Sequence, residues 1–295
     1  PFKADKAPER MQTAIKSLLQ PLKRIPQPYS MGIKGQPRSK GDDLLEDLYK
    51  SIQSSKSPCL RIVLGPAGVG KTWLFNTLFS QLYEKFGKEK KSLEAFPRPI
   101  PLLPEYMRRT GSPRTKQLVN TFIESELSSI IPRATFEWFI THGFALWMFD
   151  GLDELYAGDE DFFNYLADLL TEPESKSQII ICARDSLQKS SESFIQFLDD
   201  FESDSQVELY HLENWGTKSK RAFATRHLDP PKNAKFFDYI SKSSSLRGLS
   251  SLPYYCQLLL REFEEGTSEE YTDQLSLVKN VLSGITKREI EKGLL

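Results

Sequence analysis

Apolar runs of about strand length alternate, through the middle of the chain, with stretches in which apolar residues recur every three or four positions. The second pattern, seen at Leu74, Leu78 and Leu82, predicts an amphipathic helix. Alternation of the two patterns is typical of a three-layer α/β fold, in which helices cover both faces of a mostly parallel sheet. Five strands are predicted, at residues 59–64, 99–103, 144–149, 178–182 and 207–212, and helices are predicted at residues 42–52, 71–86, 115–130, 135–141 and 161–170.

Both ends of the chain depart from this alternation. Residues 21–41 contain four prolines and three glycines, which predicts an extended lead-in rather than a folded core. Beyond Leu212 the strand-like runs stop and only helical patterns continue. We therefore expect a lead-in with a first helix at residues 1–53, an α/β domain at residues 54–212, and a small all-α helical domain at residues 213–295.

Composition and charge narrow the classes of partner. Hydrophobic residues make up 39% and charged residues 27% of the chain, as in an ordinary globular protein. The formal net charge of -1 gives no overall basic field, which disfavours nucleic acid or an anionic membrane as the main partner, and we read the basic run 88–91 as a solvated turn. The longest apolar stretch near the middle, residues 144–149, is far shorter than the roughly 20 residues of a membrane helix, and no secretory signal is visible.

The cysteines and histidines are too scattered to predict a metal site or a disulfide framework. Cys59, Cys182 and Cys256 lie far apart, which favours buried thiols in a reducing, cytoplasmic setting. The chain starts at Pro1 and stops at Leu295 inside a predicted helix, so we expect it to be a segment of a longer protein.

A phosphate-binding pattern follows the first predicted strand of the α/β domain. The sequence GPAGVGKTW has the spacing of a P-loop, in which glycines let backbone N–H groups turn toward phosphate and the following helix adds its positive dipole end. Lys71 can reach the β- and γ-phosphates, and Thr72 can place its hydroxyl on Mg²⁺. Trp73 and Trp147 are expected to be core residues that flank the site. The predicted site for ATP or ADP with Mg²⁺ contains Gly65, Pro66, Ala67, Gly68, Val69, Gly70, Lys71, Thr72 and Trp73.

A second acidic site is predicted where the strand 145–149 ends. Asp150 follows this strand directly, which places its carboxylate at the carboxyl edge of the sheet as a candidate Mg²⁺ ligand. Many ATPases carry a catalytic Glu at the next position, but here that residue is Gly151, and Asp153 and Glu154 follow instead. These two acids are candidate catalytic groups; alternatively, they open a helix, where acids are favoured in any case.

The string DGLDEL after an apolar strand, with a complete P-loop upstream, resembles the NACHT group of the STAND nucleotide-binding switches. The similarity covers residues 60–212, including the segments 99–102 and 141–143. It implies that Asp150 coordinates Mg²⁺ through water and that Asp153 with Glu154 orients the attacking water. Arg184, just beyond the strand 178–182, matches the sensor arginine of the family and would read the γ-phosphate. Its alternative role is that of a surface arginine paired with Asp185.

The resemblance continues into the helical domain. Residues 249–255, followed by an apolar helix at 256–263, resemble the proline motif of the family, which implies that Pro253 packs against the nucleotide base. Pro253 could equally be a proline that simply opens a helix. Residues 275–290 resemble the amphipathic helix that ends this domain. In the lead-in, Tyr29 or Met31 could stack on adenine, or this stretch could be a solvated linker.

As a whole, the resemblance implies an ATP/ADP-binding switch with slow hydrolysis. Nucleotide state would set the angle between the two domains and control self-assembly, with effector and sensor domains outside this segment and immune or antiviral signalling as the setting. Two alternatives remain: an AAA+-like motor or remodeller acting on protein or nucleic acid, and a nucleotide-binding scaffold without hydrolysis.

Overall fold

The computed structural model describes residues 27–31, 39–54, 58–88, 98–102, 132–152, 160–201, 206–266, 273, 275–280 and 283. The predicted helix 115–130 lies outside these residues. The chain divides into two compact units. The sheet unit holds the described residues of Tyr29–Pro66 and Lys71–Leu212, and the helical unit holds those of Ile25–Pro28, Ala67–Gly70 and Glu213–Leu295.

A seven-stranded sheet forms the centre of the sheet unit. Its first two strands are β1 (Tyr29–Met31) and β2 (Ser39–Gly41), and with β3 to β7, given below, the strand order is β2-β1-β7-β3-β6-β5-β4. All five predicted strands are present, and they pair in parallel with one another. They are β3 (Cys59–Leu64), β4 (Arg98–Leu102), β5 (Ala145–Asp150), β6 (Gln178–Ala183) and β7 (Val207–Leu212).

Both faces of this sheet are covered. Every residue of β3, β5 and β6 is buried, so the side chains that alternate between the two faces all lie in a core. This explains why these strands read as nearly continuous apolar runs rather than as an alternating pattern. The three-layer α/β prediction is thereby confirmed.

The helices of the sheet unit bury the apolar positions that their spacing predicts. The helix α1 buries Leu44, Leu45, Leu48 and Ile52, and α2 buries Leu74, Leu78 and Leu82 together with Phe75 and Phe79. In order along the chain, the described helices of this unit are α1 (Leu44–Ser54), α2 (Lys71–Lys88), α3 (Arg133–Thr141), α4 (Glu160–Thr171), α5 (Asp185–Ser190) and α6 (Glu192–Asp200).

Part of the predicted lead-in belongs to the sheet, which corrects the expectation of an extended segment. The short strands β1 (Tyr29–Met31) and β2 (Ser39–Gly41) pair antiparallel with each other, and β1 also pairs antiparallel with β7. The hydroxyl of Tyr29 donates a hydrogen bond to Asp47 at 2.7 Å, and its ring packs edge-on against Tyr210. Tyr29 is therefore a core residue of the sheet unit, neither a solvated linker residue nor a stacking platform.

The described secondary structure of the helical unit consists of helices alone, as predicted, and these helices have their own core. Its helices are α7 (Thr217–His227), α8 (Pro230–Ser241), α9 (Ser244–Leu249) and α10 (Pro253–Glu265), with a further helical stretch at residues 275–280. Asp229 caps α8 and Ser243 caps α9 by accepting backbone N–H bonds. Buried aromatic and aliphatic side chains fill the space between the helices, among them Trp215, Phe223, Phe236, Leu246, Cys256, Leu259 and Leu277.

No helix in the described part of the chain combines the length and the apolar character needed to cross a bilayer.

Candidate functional site

Three neighbouring parallel strands end at the same edge of the sheet. Val63 in β3 lies beside Cys182 in β6, which in turn lies beside Asp150 in β5. One position further on, Leu64 pairs with Ala183. The residues that follow these strands, namely Gly65, Gly151 and Arg184, therefore start from one edge, where ligands of open α/β sheets bind.

The P-loop turns sharply after β3 through two glycines in the left-handed region. Gly68 has a φ of 79° and Gly70 a φ of 103°, backbone angles that residues with a Cβ rarely adopt. Val69 between them is completely buried, whereas Pro66 and Ala67 are exposed. At these two positions the backbone thus requires glycine, and the loop turns in a way that suits a phosphate cradle.

The side chain of Lys71 is hydrogen-bonded to the backbone at the start of the loop. Its Nζ donates hydrogen bonds to the carbonyl oxygens of Gly65 at 2.6 Å and Pro66 at 2.9 Å. Since Lys71 is the first residue of α2, these bonds tie the start of the helix to the start of the loop. The ammonium is held beside the backbone that would surround a phosphate, at the positive end of the helix dipole.

Charges from both motifs converge on one buried thiol. Burial raises the pKa of Cys182 well above its usual value, the Asp150 carboxylate raises it further, and the Lys71 ammonium lowers it. A single side chain in β6 therefore senses the P-loop lysine and the acid at the end of β5. Lys71 and Asp150 therefore both lie within electrostatic reach of Cys182.

The residues at this edge fit a magnesium ion held with a nucleotide. Mg²⁺ prefers oxygen ligands and is commonly bound by one or two protein groups together with substrate phosphates. Asp150 offers a carboxylate that is 6% exposed, and the exposed Thr72 offers a hydroxyl beside Lys71. Among the described residues no cluster of three or more His, Cys, Asp or Glu side chains could hold a metal by itself. That donor set suits an ion shared with phosphates.

The remaining predicted residues of this edge are placed only in part. Arg184 is exposed and occupies the N-cap position of α5, directly after β6. Gly151 has a φ of 69° and donates its N–H to the carbonyl oxygen of Cys182 at 2.9 Å, so the chain turns away from β5 at this point. Asp153 and Glu154 lie outside the described residues. Trp147 is a buried core residue, and Trp73 is partly buried.

In the helical unit, Pro253 lies beside the P-loop glycines. It is the first residue of α10, and its Cγ lies 3.7 Å from the position that a Cβ on Gly70 would take. The helix-opening role is therefore real, and the same residue also borders the loop.

Two further groups at the loop were missed from the sequence. The backbone N–H of Tyr254 donates to the carbonyl oxygen of Gly68 at 3.2 Å, and the Gln27 carboxamide lies 3.6 Å from the Cβ position of Gly70. Tyr254 lies within the stretch 249–255 that resembles the proline motif, but its bond to the loop depends on tertiary folding, as does the approach of Gln27.

Comparisons with known proteins show the fold. No protein-family model matches the chain, and no curated protein matches its sequence. The S. cerevisiae Hsp104–ADP complex is a structural match with a TM-score of 0.52 and 13% identity, over 90% of this chain and 34% of that chain. The chain has a P-loop NTPase fold.

Two other solved structures match more loosely. Domain III of the Thermotoga maritima replication initiation protein DnaA gives a TM-score of 0.44 at 16% identity, over 80% of this chain and 88% of that chain. AMPPCP-bound DnaA from Aquifex aeolicus gives 0.43 at 14% identity, over 76% of this chain and 61% of that chain. This chain therefore spans about a third of the length of the Hsp104 chain that it matches.

Proposed function

We propose that this chain binds ATP and ADP with Mg²⁺ at the edge formed by β3, β5 and β6. The observation that carries the proposal is the strand register Val63–Cys182–Asp150, which places the end of β5 at the same sheet edge as a loop with two left-handed glycines. Gly65 to Trp73 surround the phosphates, Thr72 and Asp150 hold the ion, and Pro253 borders the nucleotide. This arrangement supplies both the positive charge and the carboxylate that phosphoryl chemistry requires.

We further propose that the module is a slow switch of the NACHT/STAND type. The residue after Asp150 supports this proposal. It is Gly151, in a turn with a φ of 69°, so the position where many ATPases carry a catalytic glutamate has no carboxylate here. Asp153 and Glu154 would orient water, and Arg184 would read the γ-phosphate. Because ATP and ADP differ by the charge that Arg184 would neutralise, they would favour different conformations of the module.

The consequences proposed for the full protein follow from that role. Residues 1–53, 54–212 and 213–295 would act as lead-in, nucleotide-binding domain and helical domain of one cytoplasmic module. Its ATP-bound form would self-assemble. Sensor and effector domains outside this segment would detect the trigger and produce the response, in immune or antiviral defence.

Measured turnover tests the switch proposal. Purified protein with Mg²⁺ and ATP is expected to hydrolyse well below one ATP per second, since the medians of dedicated enzymes are on the order of 10 per second. Many turnovers per second, stimulated by DNA or by an unfolded protein, would instead identify an AAA+-like motor. The variant Glu154→Gln is expected to lower the residual turnover. An unchanged rate together with unchanged assembly would indicate a scaffold without hydrolysis.

A further inference from the structure

The tip of the P-loop is bonded to the first turn of α10. The second residue of this helix, Tyr254, donates its backbone N–H to the carbonyl oxygen of Gly68. The N–H groups in the first turn of a helix have no partner within the helix. Gly68 therefore satisfies a donor of α10, and α10 in turn fixes the orientation of one peptide group of the loop.

Side chains of the helical unit also flank both left-handed glycines. A Cβ on Gly68 would lie 3.4 Å from Cε2 of Tyr255, and a Cβ on Gly70 would lie 3.6 Å from the carboxamide of Gln27. These are ordinary van der Waals distances, so the loop tip is enclosed without being compressed. Residues 67–70 accordingly belong to the helical unit.

The Gln27 carboxamide is itself held in place by the helical core. Its Oε1 accepts a hydrogen bond from Nε1 of Trp215 at 3.2 Å, and the side chain is 1% exposed. An indole N–H can only donate, which fixes the amide oxygen toward Trp215. The backbone N–H of Trp215 in turn donates to the carbonyl oxygen of Ser251 at 2.7 Å, just before α10. The two contacts on the loop therefore share one connected support.

We propose that this support, formed by Gln27, Trp215 and the first turn of α10, positions the P-loop for phosphate and regulates how long a nucleotide stays bound. The inference rests on the proposed nucleotide site. The N–H of Tyr254 is a positioning group, since it acts on Gly68 rather than on the ligand. Whatever loosens the first turn of α10 would speed nucleotide release, and bound nucleotide would in turn stabilise that turn, because coupling between two sites is reciprocal.

A pair of substitutions at one position isolates the hydrogen bond. Tyr254→Pro and Tyr254→Ala both remove the exposed side chain, but only proline also removes the N–H. Proline is tolerated in the first turn of a helix, and α8 of this protein already opens with two successive prolines, Pro230 and Pro231. Both variants are made in the full chain and compared by the dissociation rate of a fluorescent N-methylanthraniloyl ADP.

We expect dissociation from Tyr254→Pro to be roughly three- to tenfold faster than from Tyr254→Ala, the ratio that one net backbone hydrogen bond supports. Equal rates for the two variants would overturn the inference while leaving the nucleotide site standing. If the wild-type protein binds neither the analogue nor ADP, the proposed function fails as well.

Amide hydrogen exchange on the wild-type protein provides a readout that needs no substitution. Saturating ADP is expected to slow exchange of the Tyr254 amide at least severalfold, since its hydrogen bond to the loop is then held closed. Exchange that is unchanged by bound ADP would overturn the inference, whatever the variants show.

Discussion

At the scale of single residues, Cys182 lies in the strand between the one that leads to Lys71 and the one that ends in Asp150. Its thiol is fully buried in β6 between the strand that leads to the P-loop and the strand that ends in Asp150. The carboxylate and the Lys71 ammonium shift its pKa in opposite directions, on top of the larger rise caused by burial. The same burial acts on the other two cysteines and raises the pKa of Cys59 and of Cys256 to about 12.

All three thiols are therefore expected to resist alkylation in the folded protein. Only the thiolate reacts, and at about pH 9 roughly half or more of an unfolded thiol is ionised whereas the buried ones stay protonated. The raised pKa values also link folding to pH. Below about pH 8.5 the thiols are protonated in both states and the free energy of unfolding is not reduced by their ionisation, whereas it falls as the pH rises toward 12, because only the unfolded thiols ionise readily. Mass spectrometry after iodoacetamide treatment at pH 9 should show no label without urea and three labels in urea. A cysteine labelled at the unfolded rate without urea would contradict the burial.

Residues of the site differ in how far the sequence could predict them. Gly65 to Thr72 are contiguous, so the loop, its lysine and its helix could be recognised from one short string, and Asp150 followed from the end of an apolar strand. Gln27 and Tyr254 are far from the loop in sequence. Tyr254 contacts it through a backbone hydrogen bond, and Gln27 through its side-chain carboxamide. Such contacts depend on the tertiary fold and leave no periodic signal.

At the scale of elements, β3 contains a buried charge in an otherwise apolar strand. Arg61 is completely buried, and its Nη1 donates to Gln178 at 2.7 Å while its Nε donates to Ser51 and lies 3.3 Å from Glu208. Among the described residues its Nη2 has no partner. Glu208 also accepts bonds from Ser51 and Tyr210. The network joins α1, β3, β6 and β7 on one face of the sheet.

The two members of this ion pair should respond unequally to removal. Glu208→Ala leaves the buried Arg61 charge without its counterion and is expected to lower the free energy of unfolding by about 2–3 kcal/mol. Arg61→Met removes the buried charge and keeps most of the volume, and Glu208 retains its bonds to Ser51 and Tyr210, so the loss should be below about 1.5 kcal/mol. Urea unfolding measures both, with Glu46→Ala, at a partly exposed ion pair, as a control. A larger loss for Arg61→Met would contradict this network.

The elements that the sequence did not predict individually include the shortest ones, and the helices α7 and α8 were expected only as part of a helical region. The strands β1 and β2 have three residues each, too few for a period, and β1 is defined by its pairing with β7. The helices α5 and α6 together follow β6 within a region where no helix was predicted, and their boundary depends on the Ser191 cap. The parallel strands and longer helices could be predicted, because burial imposes a pattern over a full element.

At the scale of the whole molecule, two cores of different kinds share one chain. The sheet unit ends with β7, and the helical unit has its own aromatic and aliphatic core. The loss of strand patterns after Leu212 was visible in the sequence. What the sequence could not show is that Ala67–Gly70, inserted between β3 and α2, belongs with the helical unit.

Calorimetric titration with ATP and ADP in the presence of Mg²⁺ tests the nucleotide site most directly. The wild-type protein should bind both nucleotides, and Lys71→Ala should weaken each by at least about 100-fold, because charge-assisted bonds to phosphate are lost. The Lys71→Ala protein should keep its circular dichroism spectrum and unfold cooperatively. Lys50→Ala, which removes a lysine whose side chain is 63% exposed, should bind like the wild type. Equal affinity of the wild-type and Lys71→Ala proteins for both nucleotides would contradict the assignment.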